Sequence, residues 1–223
     1  MKQEIALLVV FLLVFLYDTF MPRKATGAIA SVTIALFAIF TVCCFIWPAG
    51  DAEAFSRMYV TTPVCGMIKN ILNVGVLIVL IQSMSWTNSD AQAPRRGEYY
   101  ELLLLTLFGM YLMISARHFL LFLIGLESAS LPLAAMVAFD KNRYESHEAA
   151  VKYLLTAVFS SAIFMMGLSL VYGLAGTLYF DTIARNLTSQ PSALLIVAMA
   201  FVVAGVGFKL SLVPFHLWTA DVY

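Results

Sequence analysis

Gly205-Val206-Gly207-Phe208-Lys209-Leu210-Ser211-Leu212-Val213-Pro214-Phe215-His216-Leu217-Trp218 sets one lysine inside an apolar run, with small residues before it and a proline after it. The run reaches back to about residue 190, and a bilayer-spanning helix needs roughly 20 mostly apolar residues. Pro214 lacks the amide that would bond the carbonyl of Leu210, so the helix is expected to break beside Lys209. A broken helix at membrane depth is tolerated where it lines a cavity enclosed by protein. A lysine desolvated there gives up its proton more readily than one in water. His216 follows seven residues on, two turns away on nearly the same face of a continuous helix. Lys209 and His216 are thus candidates for a proton relay. The plainer reading of Lys209 is an amine that snorkels to an interface.

Working outward, the rest of the chain has the same character. It is 62% hydrophobic, 12% charged and has a mean hydropathy of +0.91, against about 45–50% apolar and 25% charged for a soluble domain. A bilayer absorbs that excess and a water-soluble core does not. The fold class expected is therefore all-α transmembrane, a polytopic bundle of about seven spans near residues 2–20, 27–47, 62–84, 99–116, 118–139, 148–174 and 190–216. None of these runs alternates with the period of two that a transmembrane barrel requires. The breaks carry turn and charge signals: Pro22-Arg23-Lys24, Pro48-Ala49-Gly50-Asp51, Thr87–Glu98, Ala116-Arg117-His118, Asp140–Glu148 and Asp181–Gln190. Part of the last break suits a short interfacial helix.

Net charge is +0, which gives no reason to expect a nucleic-acid partner. Cys43, Cys44 and Cys65 lie in apolar stretches without metal-ligand spacing and read as small apolar filler. Lys2 followed by Ile5–Tyr17 resembles a signal peptide, but no small-x-small cleavage site follows, so it reads as a retained first helix. Arg23, Lys24, Arg95, Arg96, Lys141, Arg143 and Lys152 fall in the odd-numbered loops, against Lys2, Arg57, Arg117 and Arg185 at the N-terminus and in the even ones. That bias puts the odd loops in the cytoplasm and the N-terminus outside.

Glu127 lies in Leu121-Phe122-Leu123-Ile124-Gly125-Leu126-Glu127-Ser128-Ala129-Ser130-Leu131-Pro132, far from either loop. A charge at such depth costs about 2.5–3.5 kcal/mol or more, and residues of this kind mark ion or proton paths. Pro132 leaves the Ser128 carbonyl without its helical donor, a further polar group beside the acid. The plainer reading is a packing carboxylate bonded to a neighbouring helix. Lys152, in Glu148-Ala149-Ala150-Val151-Lys152-Tyr153, either snorkels or pairs with Glu127. Lys69, within two turns of a helix end, is expected to snorkel. His118 and His147 lie at helix boundaries and are expected to be solvated. Trp47, Trp86 and Trp218 fall near span ends, as interfacial anchors do.

Gly205–Tyr223 closely resembles the signature around the broken seventh helix of the antiporter-like subunits of proton-translocating NADH–quinone oxidoreductase, respiratory complex I, subunit N in particular. Gly125-Leu126-Glu127-Ser128-Ala129-Ser130-Leu131-Pro132 resembles that family's fifth-helix glutamate motif, and Glu148–Leu155 the opening of its sixth helix. The motif match covers roughly residues 98–223, and residues 1–97 match only as three hydrophobic spans. The resemblance implies a division into three N-terminal helices (1–97) and an incomplete first antiporter-like repeat (98–223). It implies that Glu127 and Lys209 form a buried pair at a half-channel, with Lys152 as the sixth-helix lysine. It further implies proton movement in a bacterial inner membrane, within the lipid bilayer and beside the other membrane subunits of complex I. This chain would hold no cofactor of its own, the quinone, FMN and iron–sulfur clusters belonging to other subunits. Family members are about twice as long, so a truncated or split form is expected. The nearest rivals are a subunit of a multisubunit sodium/proton antiporter or membrane-bound hydrogenase, and a structural membrane segment without transport.

Overall fold

A computed structural model of the protein describes residues 1–20, 28–48, 50–87, 95–187 and 193–222. Pro22-Arg23-Lys24, Ala49 and parts of the breaks at 87–98 and 181–190 lie outside the described residues. The helices are α1 (Lys2–Phe20), α2 (Ile29–Ile46), α3 (Pro63–Thr87), α4 (Arg96–Ile114), α5 (Phe119–Val137), α6 (Tyr144–Ala175), α7 (Phe180–Leu187), α8 (Ala193–Lys209) and α9 (Leu217–Val222). Between α2 and α3 runs a short antiparallel hairpin, β1 (Ala52–Ala54) and β2 (Tyr59–Thr61).

By length and composition, 5 helices (α1, α2, α3, α5 and α6) are long and apolar enough to cross a membrane. The sequence led us to expect about seven. The two that fall short do so for different reasons. α4 has 19 residues but opens with Arg96, Glu98 and Glu101. α8 is apolar yet stops at Lys209 after 17 residues. Ile5, Ile39, Ile71, Phe159 and Ile196 are all exposed although each belongs to an apolar helix. Helices that are apolar on every side have no water-facing stripe, which suits a lipid surround.

Local rules place the helix ends. Thr62 caps α3: its Oγ1 accepts the Cys65 amide at 3.3 Å, and Pro63 follows at the first helical position, where it loses no bond. α6 ends at Gly176 in the left-handed region (φ 69), whose amide bonds the Tyr172 carbonyl at 2.8 Å. α8 ends the same way without a glycine. Ser211 has φ 54, its amide bonds the Phe208 carbonyl at 3.0 Å, and the Leu212 amide bonds the Gly207 carbonyl at 2.9 Å. This two-bond cap terminates the helix directly after Lys209. The break expected beside Lys209 is therefore present, and the cap closes it ahead of Pro214.

The chain forms two compact units. The first comprises Met1–Ala116 and Phe122–Met136. Its core gathers Leu7 and Val14 of α1, Phe37 of α2, Leu80 of α3 and Leu104 and Tyr111 of α4. α4 and α5 meet there through glycines: a Cβ on Gly109 would stand 2.4 Å from the Ala129 amide nitrogen, and one on Gly125 would stand 2.8 Å from that of Met113. The second unit comprises Arg117–Leu121 and Val137–Tyr223. α6 and α8 form its spine, and Val171, Ala175, Ile183 and Ala198 form its core. Gly167 and Gly205 let the two backbones approach, since a Cβ on Gly205 would lie 2.5 Å from the Phe164 Cβ. Ser160 Oγ donates to the Gly205 carbonyl across the same contact at 2.8 Å. In lipid, where no hydrophobic force drives helices together, such close approach and interhelical hydrogen bonds supply the association.

Gly205→Leu should therefore overpack the α6–α8 contact and cost about 1–3 kcal/mol. Thermal unfolding of the detergent-solubilised protein should show a lower midpoint than the wild type, and an unchanged midpoint would remove the close-contact account.

Candidate functional site

Glu127 sits in the middle of α5 and is half-buried in the first unit. The turn that follows it is rich in polar contacts. Ser130 Oγ donates to the Leu126 carbonyl at 2.9 Å and reaches the Glu127 carbonyl at 3.5 Å, while Pro132 occupies the helix interior two residues on. Ser130 thus bonds back into the stretch of backbone that Pro132 weakens.

The other three candidates lie in the second unit. Lys209 is the last residue of α8, and its Nζ is closed off from solvent. The carbonyl end of a helix carries partial negative charge, which favours a cation there by about 0.3–1 kcal/mol. His216 is exposed, in the turn between α8 and α9, and its carbonyl accepts the Thr219 amide at 3.0 Å. The same-face argument for Lys209 and His216 does not hold, because the helix on which it relied ends at Lys209 and Ser211 reverses the backbone. Lys152 is 48% exposed and pairs at 2.9 Å with Glu148, one turn earlier on α6. The i,i+4 spacing, acid first, explains that partner, and such exposed pairs contribute only a few tenths of a kcal/mol.

A second polar centre was misread from the sequence. Lys69 does not snorkel: its side chain is 0% exposed and is ion-paired with Glu4 of α1, itself 4% exposed. Lys69 Nζ also donates to Ser115 Oγ, just beyond α4, at 2.6 Å, and to the Tyr59 hydroxyl of β2 at 3.5 Å. The rings of Tyr59 and Tyr111 flank the ammonium at 5.5 and 5.4 Å. Burial, and then the Glu4 carboxylate, push the Tyr59 phenol well above its ordinary value, so it remains a neutral donor. The signal available in the sequence was Glu4, an acid within one turn of an apolar helix start. Its pairing with Lys69 depends on how α1 and α3 pack.

His118 is likewise not solvated. It is buried just before α5, accepts the Leu120 amide on Nδ1 at 3.1 Å and packs edge-on against Tyr179 at 4.7 Å. Burial depresses its proton affinity below the ordinary imidazole value. His147 is exposed as expected, with Nε2 3.1 Å from the Lys141 carbonyl. The three cysteines are free. Among the described residues no group of three or more His, Cys, Asp and Glu side chains could hold a metal ion.

Apolar helices with buried charges, close glycine contacts and a helix interrupted beside a lysine make up a polytopic helical membrane bundle. In agreement, the family model described as NADH:quinone oxidoreductase/Mrp antiporter, TM, matches residues 116–223. Within that class, the chain is similar along its whole length to NADH-quinone oxidoreductase subunit N of Phocaeicola vulgatus, at 45% identity over 223 residues. The same subunit of Desulfitobacterium hafniense is 34% identical over 227 residues. The resemblance read from the Glu127 and Lys209 motifs thus holds, and it extends to the first three helices, where no motif had been recognised. The chain spans 46% of the length of the Phocaeicola relative. Among solved structures, respiratory complex I from Thermus thermophilus contains a chain that matches with TM-score 0.77 and 27% identity, over 99% of this chain and 47% of that one. An archaeal membrane-bound sulfane sulfur reductase shares the fold, with TM-score 0.74 at 19% identity over 99% of this chain and 46% of that one.

Two outcomes follow from this geometry. Lys69→Met leaves the Glu4 carboxylate buried without its partner and should cost about 3–5 kcal/mol, read as a lowered thermal midpoint. His118 binds a proton more weakly folded than unfolded, so its contribution is whole above about pH 6.5 and is lost as pH falls below that value. The wild-type midpoint should fall on acidification from about pH 7 to about pH 5. The fall should be smaller in His118→Phe, and an equal fall in both proteins would refute the assignment.

Proposed function

We propose that this chain is part of a proton-translocating membrane subunit of an NADH–quinone oxidoreductase, with Glu127 and Lys209 as proton carriers. The observation that carries the reading is the 45% identity, over every residue of the chain, to a subunit of that name. That similarity favours a quinone oxidoreductase over a sodium/proton antiporter, a hydrogenase or an inert segment. The chain crosses the membrane seven times: the five long apolar helices are joined by α4, whose 19 residues rise about 28 Å, and by α8 continued through its break into α9. Residues 1–97 supply three crossings, and residues 98–223 supply part of one antiporter-like repeat. The N-terminus faces outward, by the bias of Lys and Arg in the loops.

In this reading the chain does no redox chemistry. Quinone, FMN and iron–sulfur clusters sit in other subunits, and the other membrane subunits are its partners. Glu127 binds and releases a proton on its carboxyl group. The polar backbone around Ser128 and Ser130 gives water a place beside it in an otherwise apolar helix. Lys209 holds its proton at the carbonyl end of α8, where the helix dipole favours the ammonium. His216 stands on the exposed side of that break, and Lys152, balanced by Glu148, supplies a movable cation on α6.

The test uses the full-length protein in its assembled complex. Glu127→Gln and Lys209→Ala should each leave NADH-driven quinone reduction in membrane vesicles near wild type and lower the protons moved per NADH oxidised. Wild-type proton yield in both variants would remove the proposal.

A further inference from the structure

The most polar place inside the first unit is not at Glu127. It lies where the start of α1, the β1–β2 hairpin, the second turn of α3 and the end of α4 converge. We propose that the Glu4–Lys69 pair is a second proton-holding site, hydrated and covered by the hairpin. The proposal rests on the proton-translocating reading above.

Lys69 has three N–H bonds and three acceptors, from Glu4, Ser115 and Tyr59. Each N–H bond of an ammonium is thus matched to an acceptor, and Glu4 is the member that exchanges. Empty, the site holds a carboxylate facing an ammonium. Loaded, it holds a carboxylic acid facing the same ammonium. The proton arrives on water, binds a Glu4 oxygen and leaves by the same kind of transfer, and no other bond changes. One Glu4 oxygen is engaged by Lys69, while Oε2 faces the partly exposed Met1 amine at 3.5 Å.

On the interior side, Lys69, Asn70 and Asn73 share one face of α3, and all three are buried. Gln3 Nε2 donates to Asn70 Oδ1 at 3.3 Å, Asn70 Nδ2 to the Cys44 carbonyl at 3.4 Å, and the Tyr111 hydroxyl to Asn73 Oδ1. Gln3 Oε1 and Asn73 Nδ2 are buried and have no hydrogen-bond partner among the described residues. A spare acceptor and a spare donor in a buried polar pocket are what ordered water satisfies. The Val60 amide bonds the Ser115 carbonyl at 2.9 Å, and Tyr59 bridges to Ala116, so the hairpin is fixed over the site. A buried ion pair is a poor stabilising device, because an apolar pair of similar volume often serves as well. Ionisable groups within membrane helices mark proton paths. The titratable groups facing Glu4 are the Met1 amine, Lys69, Cys44 of α2, Tyr59 of β2 and Tyr111 of α4.

The experiment compares Glu4→Gln/Lys69→Met with Glu127→Gln in the full-length protein, within the assembled complex, by proton uptake per NADH in inside-out vesicles. The double variant should lower the protons moved per NADH oxidised, as Glu127→Gln does. A double variant that assembles and moves protons at wild-type yield overturns the site and makes the pair a structural tie. Loss in the double variant with wild-type yield in Glu127→Gln upholds this site and overturns the role of Glu127. Should the double variant fail to assemble, Tyr59→Phe keeps the ion pair and removes one hydrogen bond to Glu4. It should shift the pH profile of proton uptake, and an unshifted profile overturns the proposal.

Discussion

A charge inside an apolar helix bundle has no water to neutralise it, so the chain must supply every counter-charge and every hydrogen bond itself. Three lysines within this chain's helices answer that constraint differently. Lys69 is enclosed and is met by an acid, a hydroxyl, a phenol and two aromatic faces contributed by three other elements. Lys152 is half-exposed and needs only the acid one turn away. Lys209 is placed at the carbonyl terminus of α8, where the helix supplies the negative end of its dipole. The fully enclosed Lys69 ties together more elements than the half-exposed Lys152 does. Lys69 therefore organises the first unit in a way that Lys152 cannot organise the second.

The same constraint governs the backbone. An interrupted helix frees carbonyls and amides that lipid cannot satisfy. At the end of α8 the chain satisfies them internally: Ser211 and Leu212 turn back their amides onto Phe208 and Gly207, Thr219 Oγ1 donates to Ser211 Oγ, and the Trp218 indole donates to the Phe208 carbonyl at 3.2 Å. A serine at φ 54 is less comfortable than a glycine would be. Its hydroxyl repays that by anchoring α9, a bond a glycine cannot make. The break beside Lys209 is thus a built feature with its own hydrogen-bond set, and not a frayed end.

What the sequence revealed depended on how local the cause was. Helix positions follow from runs of apolar residues, and α1 and α5 start and end within about two residues of their expected limits. The broken helix was legible because one proline announced it, although the stop falls earlier, at a cap formed by Ser211. Glu127 and Lys209 stood out because a charge in an apolar run is visible without knowing what it faces. Lys69 was visible too, but its fate was not. Whether a lysine near a helix end reaches water or turns inward depends on what the adjoining helices present, and Glu4 is 65 residues away. The hairpin was hidden for another reason. Its strands have three residues each, and its turn carries Phe55, Ser56 and Arg57 in the left-handed region without a glycine to announce it. His118 was misjudged because its cover, Tyr179, comes from a distant part of the chain.

The polar centres of the first unit are joined by a single stiff element. Ser115, which accepts a hydrogen bond from Lys69, caps α4, and Gly109 lies six residues before it, about 9 Å along the helix axis. At Gly109 the α4 backbone is in direct contact with the α5 backbone at Gly125, Ser128 and Ala129, the turn that contains Glu127. Glycine-to-backbone contacts leave no side chain to absorb a displacement, and packed interiors transmit strain instead of dissipating it. Lys69 holds the end of α4 through Ser115, and α4 in turn touches the α5 turn that carries Glu127. The two acids therefore lie on elements that share α4 as a common contact, and a residue larger than glycine at position 109 would force α4 and α5 apart.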